Sequence, residues 1–211
     1  MASQGPGGRA GTGEGQSAEW PAVIANIGQG ALLESDLAEL MQSAMRRTAE
    51  ALDVALVHLL RLLPGRDDLV VEACHGGSPE ACVSAVIEGG RRSHAGYALE
   101  VGEPVIVEDY RDERRFEVPP QLLQQGVVSG MTVVVQGRDC AYGVVCAHDT
   151  RPRPFGRAEI SFLQAVASIL GAAVENQRAM KALRKSEEHL AAVLDHVVDG
   201  VVTIDDRGVI Q

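Results

Sequence analysis

From Arg91 to Phe116 the chain reads RRSHAGYALEVGEPVIVEDYRDERRF, a stretch that packs arginines, carboxylates, a histidine and two tyrosines around the strand-like run PVIVED. Such residue types can do acid–base work, cradle an anion, or line a ligand pocket. The spacing supports no nucleophile–base pair, so no catalytic residue is assigned. The cluster Arg111, Arg114 and Arg115 is a small basic patch, and charge runs of this kind usually face water. His148 closes a strand-like run. A lone histidine with no ligand partner at fitting spacing is weak evidence for a metal, and a hydrogen bond at the strand end is the plainer role. His58 and His75 take the same reading. Cys74, Cys82, Cys140 and Cys146 show no CxxC spacing and are expected to be free thiols. Cys146, among Val144, Val145 and Ala147, has the setting of a small core hydrophobe. Cys140 follows GRD in a turn. The glycine-rich GPGGRAGTGEG near the start is preceded by no strand, so it is no phosphate loop.

Those residues must be positioned by a globular chain. Its 211 residues suffice for one ordinary domain plus extra segments. Hydrophobic residues make up 45% and aromatics only 3%, so the core is built from Val, Leu, Ile and Ala. A net charge of −10 argues against general nucleic-acid binding. No uninterrupted apolar run reaches the about 18–20 residues of a membrane helix, and the first residues lack a secretory signal. A cytoplasmic location is expected. Residues 1–19 are expected to be a flexible tail.

Helical spacing appears over Pro21 to Leu33 and again after Ser35, a suitable N-cap. Leu37, Leu40, Met41, Ala44, Thr48, Ala51 and Leu52 share one face of that second helix. Two β-rich runs, Val54–Leu63 and Leu69–His75, flank the turn signal PGRDD. SPEACVSAVIEGG is compatible with a short helix from Pro79 or a strand near Val83–Ile87. SHAGYALEVG predicts a short helix ended by Gly102, PVIVED a strand, and VPPQLLQQG a helix opened by prolines. A second hairpin, Met131–Gln136 and Ala141–Asp149, turns at GRDC. Its near-continuous apolar runs predict strands covered on both faces.

From GRAEIS to DHVV the pattern predicts one helix roughly 55–60 Å long. Leu163, Val166, Leu170, Ala173, Gln177 and Met180 alternate spacings of three and four, a heptad-like seam suited to a dimeric linker. Leu183, Leu190, Leu194 and Val197 continue it after a stammer-like step. The plain alternative is that the seam stops burying into the domain and a linker helix begins. DGVVTIDDRGVIQ then opens a strand, a tight turn and a second strand that stops at Gln211, as in a piece of a longer protein.

The order helix, hairpin, variable segment, strand, helix, hairpin, long helix resembles a GAF domain. The blocks LLESDLAELMQSAMRRTAEALDV, AGYALEVGEPVIVEDYRDERRF, GVVSGMTVVVQGRDCAYGVVCAHDT and FGRAEISFLQAVASILGAAVENQ carry the resemblance, over about Ala22 to Gln177. SEEHLAAVLDHVVDGVVTIDDRGVIQ resembles the opening of a PAS domain. The resemblance implies an α+β fold: a central antiparallel sheet, the N- and C-terminal helices on one face, and a small-molecule pocket on the other. It divides the chain into a tail (1–19), a GAF-like sensory domain (20–177), a helical linker (178–195) and a truncated PAS start (196–211). On that basis His94, Tyr97, Asp109, Arg114, Phe116, Ser129 and Met131 are candidate pocket residues. The competing reading has Asp109 capping the following turn and the arginines solvated.

Such GAF–PAS tandems resemble the sensory half of bacterial histidine kinases or diguanylate cyclases, so this region is expected to be non-enzymatic and homodimeric through its N- and C-terminal helices. The neighbourhoods of His189 and His196 do not resemble a kinase phosphoacceptor box. The resemblance requires no cofactor. It leaves two alternatives, a thiol-redox enzyme on a GAF scaffold and a haem-binding GAF sensor. The Asn-Lys-Phe-Asp-Glu signature of cyclic-nucleotide GAF domains is missing.

Overall fold

The structure is a computed structural model of the chain. It describes residues 17–33, 36–77, 86–87 and 89–198, with side chains as far as 192. The expectations placed on Ser35, on Cys82 and on residues 199–211 of the PAS-like segment lie outside the described residues.

Helices α1 (Trp20–Leu33) and α2 (Leu37–Leu52) lead into the hairpin β1 (Leu56–Leu62) and β2 (Leu69–Gly76). A short strand β3 (Val86–Ile87), helix α3 (His94–Val101), strand β4 (Val105–Val107) and helix α4 (Pro120–Gln124) follow. The hairpin β5 (Ser129–Gln136) and β6 (Ala141–Asp149) then precedes helix α5 (Arg157–Val198). The six strands form one sheet in the order β3-β2-β1-β6-β5-β4, with every pairing antiparallel. Val86 and Ile87 pair with Val70 and Leu69, which decides the strand reading over the helical one at those two residues.

Strand alternation sorts side chains onto two faces. Val57 and Leu59 of β1, Met131, Val133 and Val135 of β5, and Val145 and Ala147 of β6 share one core with Ile27 of α1, Met41, Met45 and Leu52 of α2, and Leu163, Val166 and Leu170 of α5. Each buried side chain of this size contributes about 1.5–3 kcal/mol, so this layer anchors the helices to the sheet. Trp20 ties three helices together. Its Nε1–H donates to the Ala51 carbonyl at 3.0 Å, and its ring lies 5.2 Å from that of Phe162. Gly171 lets α5 close on the sheet, because a Cβ there would stand 2.3 Å from the Gln136 carbonyl oxygen.

Helix α2 is capped by Asp36, whose carboxylate accepts from the Ala38 N–H; the cap therefore sits directly before Leu37, one residue past the Ser35 expected. At its other end Asp53 takes a left-handed conformation, φ 50°. The Asp53 carbonyl accepts from both Arg151 and Arg153. The same arginines pair with the buried carboxylate of Asp149 at the end of β6, so one ionic cluster joins the end of α2 to the end of the central strand.

The chain divides into two compact units, 1–174 and 175–211. Within the first, Leu163, Val166, Leu170 and Ala173 are buried. That part of the proposed seam packs into the chain's own core, since α5 must cover the sheet there. Gln177 is half-buried. In the second unit Met180, Leu183 and Leu190 are about 60% exposed (60%, 61% and 59%). The helical span Arg157–Ala192 is long and apolar enough to cross a membrane by length and composition alone. Burial of Leu163, Val166 and Leu170 against the sheet accounts for that apolarity.

Candidate functional site

The opposite face of the sheet carries the polar chemistry. Antiparallel register sets Cys74, His58, Cys146 and Thr132 side by side on β2, β1, β6 and β5. In the neighbouring row Leu56 of β1 pairs with His148 of β6, and His148 with Gly130 of β5. Around these rows lies a second apolar core containing Leu56, Leu60, Val71, Val105, Val107, Phe116, Leu122 and Val144. Helix α3 closes over it. Ser93 caps that helix by accepting from the Gly96 N–H, which delivers His94, 3% exposed, at its first position.

Three histidines therefore meet in an apolar layer. The His148 ring lies 5.4 Å from that of His94 and 5.8 Å from that of His58. The Tyr110 hydroxyl is 3.2 Å from His148 Nδ1. Four ring nitrogens, His58 Nε2, His148 Nε2 and both of His94, have no hydrogen-bond partner among the described residues. A buried polar atom left unpaired costs about 1–3 kcal/mol, so this cluster is expensive for the fold. Burial holds His58 and His94 down to about 4, with the nearness of His58 adding to the effect on His94. His148 is pushed well below its ordinary value by burial and by both neighbouring histidines. All three are neutral imidazoles at neutral pH, able to accept a proton or a metal. Burial pushes the Cys146 thiol up to about 12, against a hydrogen bond with Thr132. A thiol so held is no ready nucleophile.

A cavity of about 500 Å³ opens above this layer. Its wall combines Leu60, Val71, Ile87 and Leu122 with His58, His94, Arg92, Glu117 and Gln125. An apolar wall with a few polar groups suits a small-molecule site.

The expected pocket residues fall in several places. His94 lines the cavity. Tyr97 and Phe116 pack beside it, rings 5.6 Å apart, with Phe116 6.2 Å from the His94 ring. Ser129 and Met131 require a correction. Met131 belongs to the core under the helices, and Ser129, two residues earlier on the strand, donates to the Arg151 carbonyl. A strand's two-residue period makes Gly130 and Thr132 the residues of β5 facing the cavity layer. Asp109 accepts from the Arg111 backbone N–H and guanidinium, the turn-capping role. Arg114 is exposed and donates to the carbonyls of Arg111 and Glu113. Arg115 is exposed, as the solvated reading expects, and it also pairs with the Glu113 side chain and lies over the Tyr97 and Phe116 rings at 5.9 and 5.6 Å. Cys74 is disulfide-bonded, contrary to the expected free thiol; Cys140 and Cys146 are free. The sequence reading passed over the convergence of His58, His148, Cys146 and Tyr110. The available signal was strand parity: His58 and His148 sit where the cavity face must be.

An antiparallel sheet with helices packed on one face and a polar-lined cavity on the other is an α+β sensor-type architecture in form, and the sequence family matches it. The GAF domain family model matches residues 36–174, more than half of the chain. The chain belongs to the GAF domain family. Comparison with curated proteins returns no match. Among solved structures it is similar to the GAF domain of a phosphoenolpyruvate-protein phosphotransferase from Coxiella burnetii, at TM-score 0.70 and 17% identity, covering 79% of this chain and 98% of that one. It is also similar to the free methionine-R-sulfoxide reductase of Neisseria meningitidis in complex with its substrate, at TM-score 0.68 and 19% identity, covering 80% and 96%. A domain of a putative two-component sensor histidine kinase from Sinorhizobium meliloti aligns at TM-score 0.57 and 19% identity, covering 72% and 99%. At these identities the likeness establishes the fold.

Proposed function

We propose that this GAF domain is a non-enzymatic sensory module. It binds a small molecule in the cavity beneath α3 and α4 and passes the occupancy to the helices across the sheet. The observation that carries the reading is the division of labour on β1 and β6. Leu56, His58 and Leu60 face the cavity layer, whereas Val57 and Leu59 between them pack with the helices. A ligand that moves these strands changes the packing of α2 and α5. Transmission then needs two packings of different ligand affinity. The raised Cys146 thiol favours a regulatory role over a thiol enzyme. The kinase-type neighbour and the exposed apolar residues of α5 suit a homodimeric signalling protein, of the histidine kinase or diguanylate cyclase type, with a PAS domain after the linker.

A thermal-shift screen of small polar metabolites tests the pocket. A true ligand raises the melting temperature in a concentration-dependent way, and Ile87→Trp, which fills the cavity from the edge strand, removes that rise. A compound whose effect survives Ile87→Trp binds elsewhere, and a screen in which every effect survives it overturns the reading.

A further inference from the structure

We propose that His94, Cys146 and His148 form a binding site for a divalent transition metal, with Zn²⁺ the best-matched ion. The inference goes beyond the small-molecule reading and does not depend on it. The three side chains come from separate parts of the chain, α3 and two positions of β6, yet one ligand atom from each lies within 4.8 Å of the other two. All three residues are buried. Two imidazoles and one thiolate are the donors that Zn²⁺ prefers among the common divalent ions. At Zn–N and Zn–S lengths of about 2.1 and 2.3 Å, tetrahedral ligand atoms stand about 3.3–3.6 Å apart, so the side chains close by roughly an ångström on binding.

The surroundings are those of a built site. His148 has one nitrogen near the Tyr110 hydroxyl and the other without a partner. With the proton on Nδ1, facing Tyr110, the Nε2 lone pair is left for a metal, and the tyrosine fixes the ring as an outer-shell partner does. Gly130 makes room for this pair: a Cβ there would fall 2.6 Å from His148 Nδ1 and 2.7 Å from the Tyr110 oxygen. Both His94 nitrogens are unpartnered. His58 adds a further unpartnered nitrogen in the same layer, and with His94 it lines the cavity that gives access. A three-ligand site keeps a fourth position for water or an exogenous ligand.

Binding is a ligand exchange without redox change. The Cys146 S–H bond breaks, a sulfur–metal bond forms, and one proton passes to solvent; the two histidines, already neutral, release none.

The purified chain, freed of metal by chelator, is titrated with Co²⁺ as a spectroscopic substitute and with Zn²⁺ in competition. The expected result is one equivalent bound, about one proton released, and a thiolate-to-cobalt charge-transfer band that Zn²⁺ abolishes. Cys146→Ser removes the band, and His94→Gln weakens binding at least tenfold. Cys140→Ser, which alters the exposed free cysteine, leaves both unchanged. X-ray absorption of the zinc-loaded wild type covers the event that a variant does not fold: a shell of one sulfur with imidazole nitrogens supports the site. A shell without sulfur, a wild type that binds no metal, or a band lost in Cys140→Ser overturns it. A negative result of this kind leaves the cavity-ligand reading standing, because that reading is decided by the Ile87→Trp comparison.

Discussion

The Tyr110 hydroxyl reaches His148 across the β4–β5 side of the sheet, 3.2 Å from Nδ1, and the pair fits only because position 130 has no side chain. Tyr110→Phe removes the hydrogen bond while keeping the ring, so a loss of about 0.5–1.5 kcal/mol is expected in urea denaturation. Gly130→Ala is expected to cost more, about 1–3 kcal/mol, because the added methyl meets the His148 ring, the tyrosine oxygen and the Ala147 carbonyl. If Gly130→Ala proves neutral, the close packing of this pair is wrong.

Acid should weaken the fold before its carboxylates titrate. His58 and His94 are held at about 4, below the ordinary 6.5. Between those values the unfolded chain binds more protons than the folded one. Stability therefore rises with pH across this window, is fully present above it, and is lost as pH falls towards 4. Each histidine contributes a slope of at most about 1.4 kcal/mol per pH unit. His58→Gln should flatten the profile between pH 6.5 and 4 and leave the steeper acid limb below 4, where Asp149 and Asp109 protonate. A mutant profile superimposable on wild type in that window would remove His58 from the account.

The ionic cluster at the end of β6 has unequal members. The Asp149 side chain is 2% exposed and accepts from Arg151 and Arg153, whereas Arg151 is 63% exposed. Burial raises the Asp149 carboxyl, but the arginine hydrogen bonds outweigh it and hold the group below its usual range. Asp149→Ala is expected to lose about 2–4 kcal/mol, since it strips charged hydrogen bonds at a buried position. Arg151→Ala should lose only about 1 kcal/mol or less. Equal losses in guanidinium denaturation would contradict this ranking.

Oligomeric state tests the linker. Met180, Leu183 and Leu190 are exposed. Replacing all three by Ser should convert a dimer to a monomer in size-exclusion chromatography with light scattering, with no loss of helical signal from the first unit. A wild type that is monomeric at every concentration would end the dimeric-linker proposal.

The layered fold was legible because its elements punctuate themselves: prolines at α4, Gly102 after α3, turn residues between paired apolar runs. Which face each strand residue occupies was harder. β5 and β6 are apolar on both faces, so alternation carried no polarity signal, and the assignment of Ser129 and Met131 to the pocket missed by one residue. The histidine cluster was illegible for a different reason. His58 and His148 are neighbours only through the β1–β6 pairing, whose partners lie far apart in sequence, and His94 joins them through the closure of α3. Each alone looked like an isolated polar residue in an apolar run. Asp109 was also expected in the pocket, but it does not line the cavity and caps its own turn through the local Arg111, the competing reading.

Trp20 is the chain's single tryptophan, and it touches α2 through Ala51 and α5 through Phe162. Tyr97 and Tyr110 instead belong to the core on the other side of the sheet. Selective excitation of the indole thus gives a fluorescence reporter confined to the helix layer. A change in its emission when the cavity is filled would register events on one face of the sheet from a probe on the other, with no label attached.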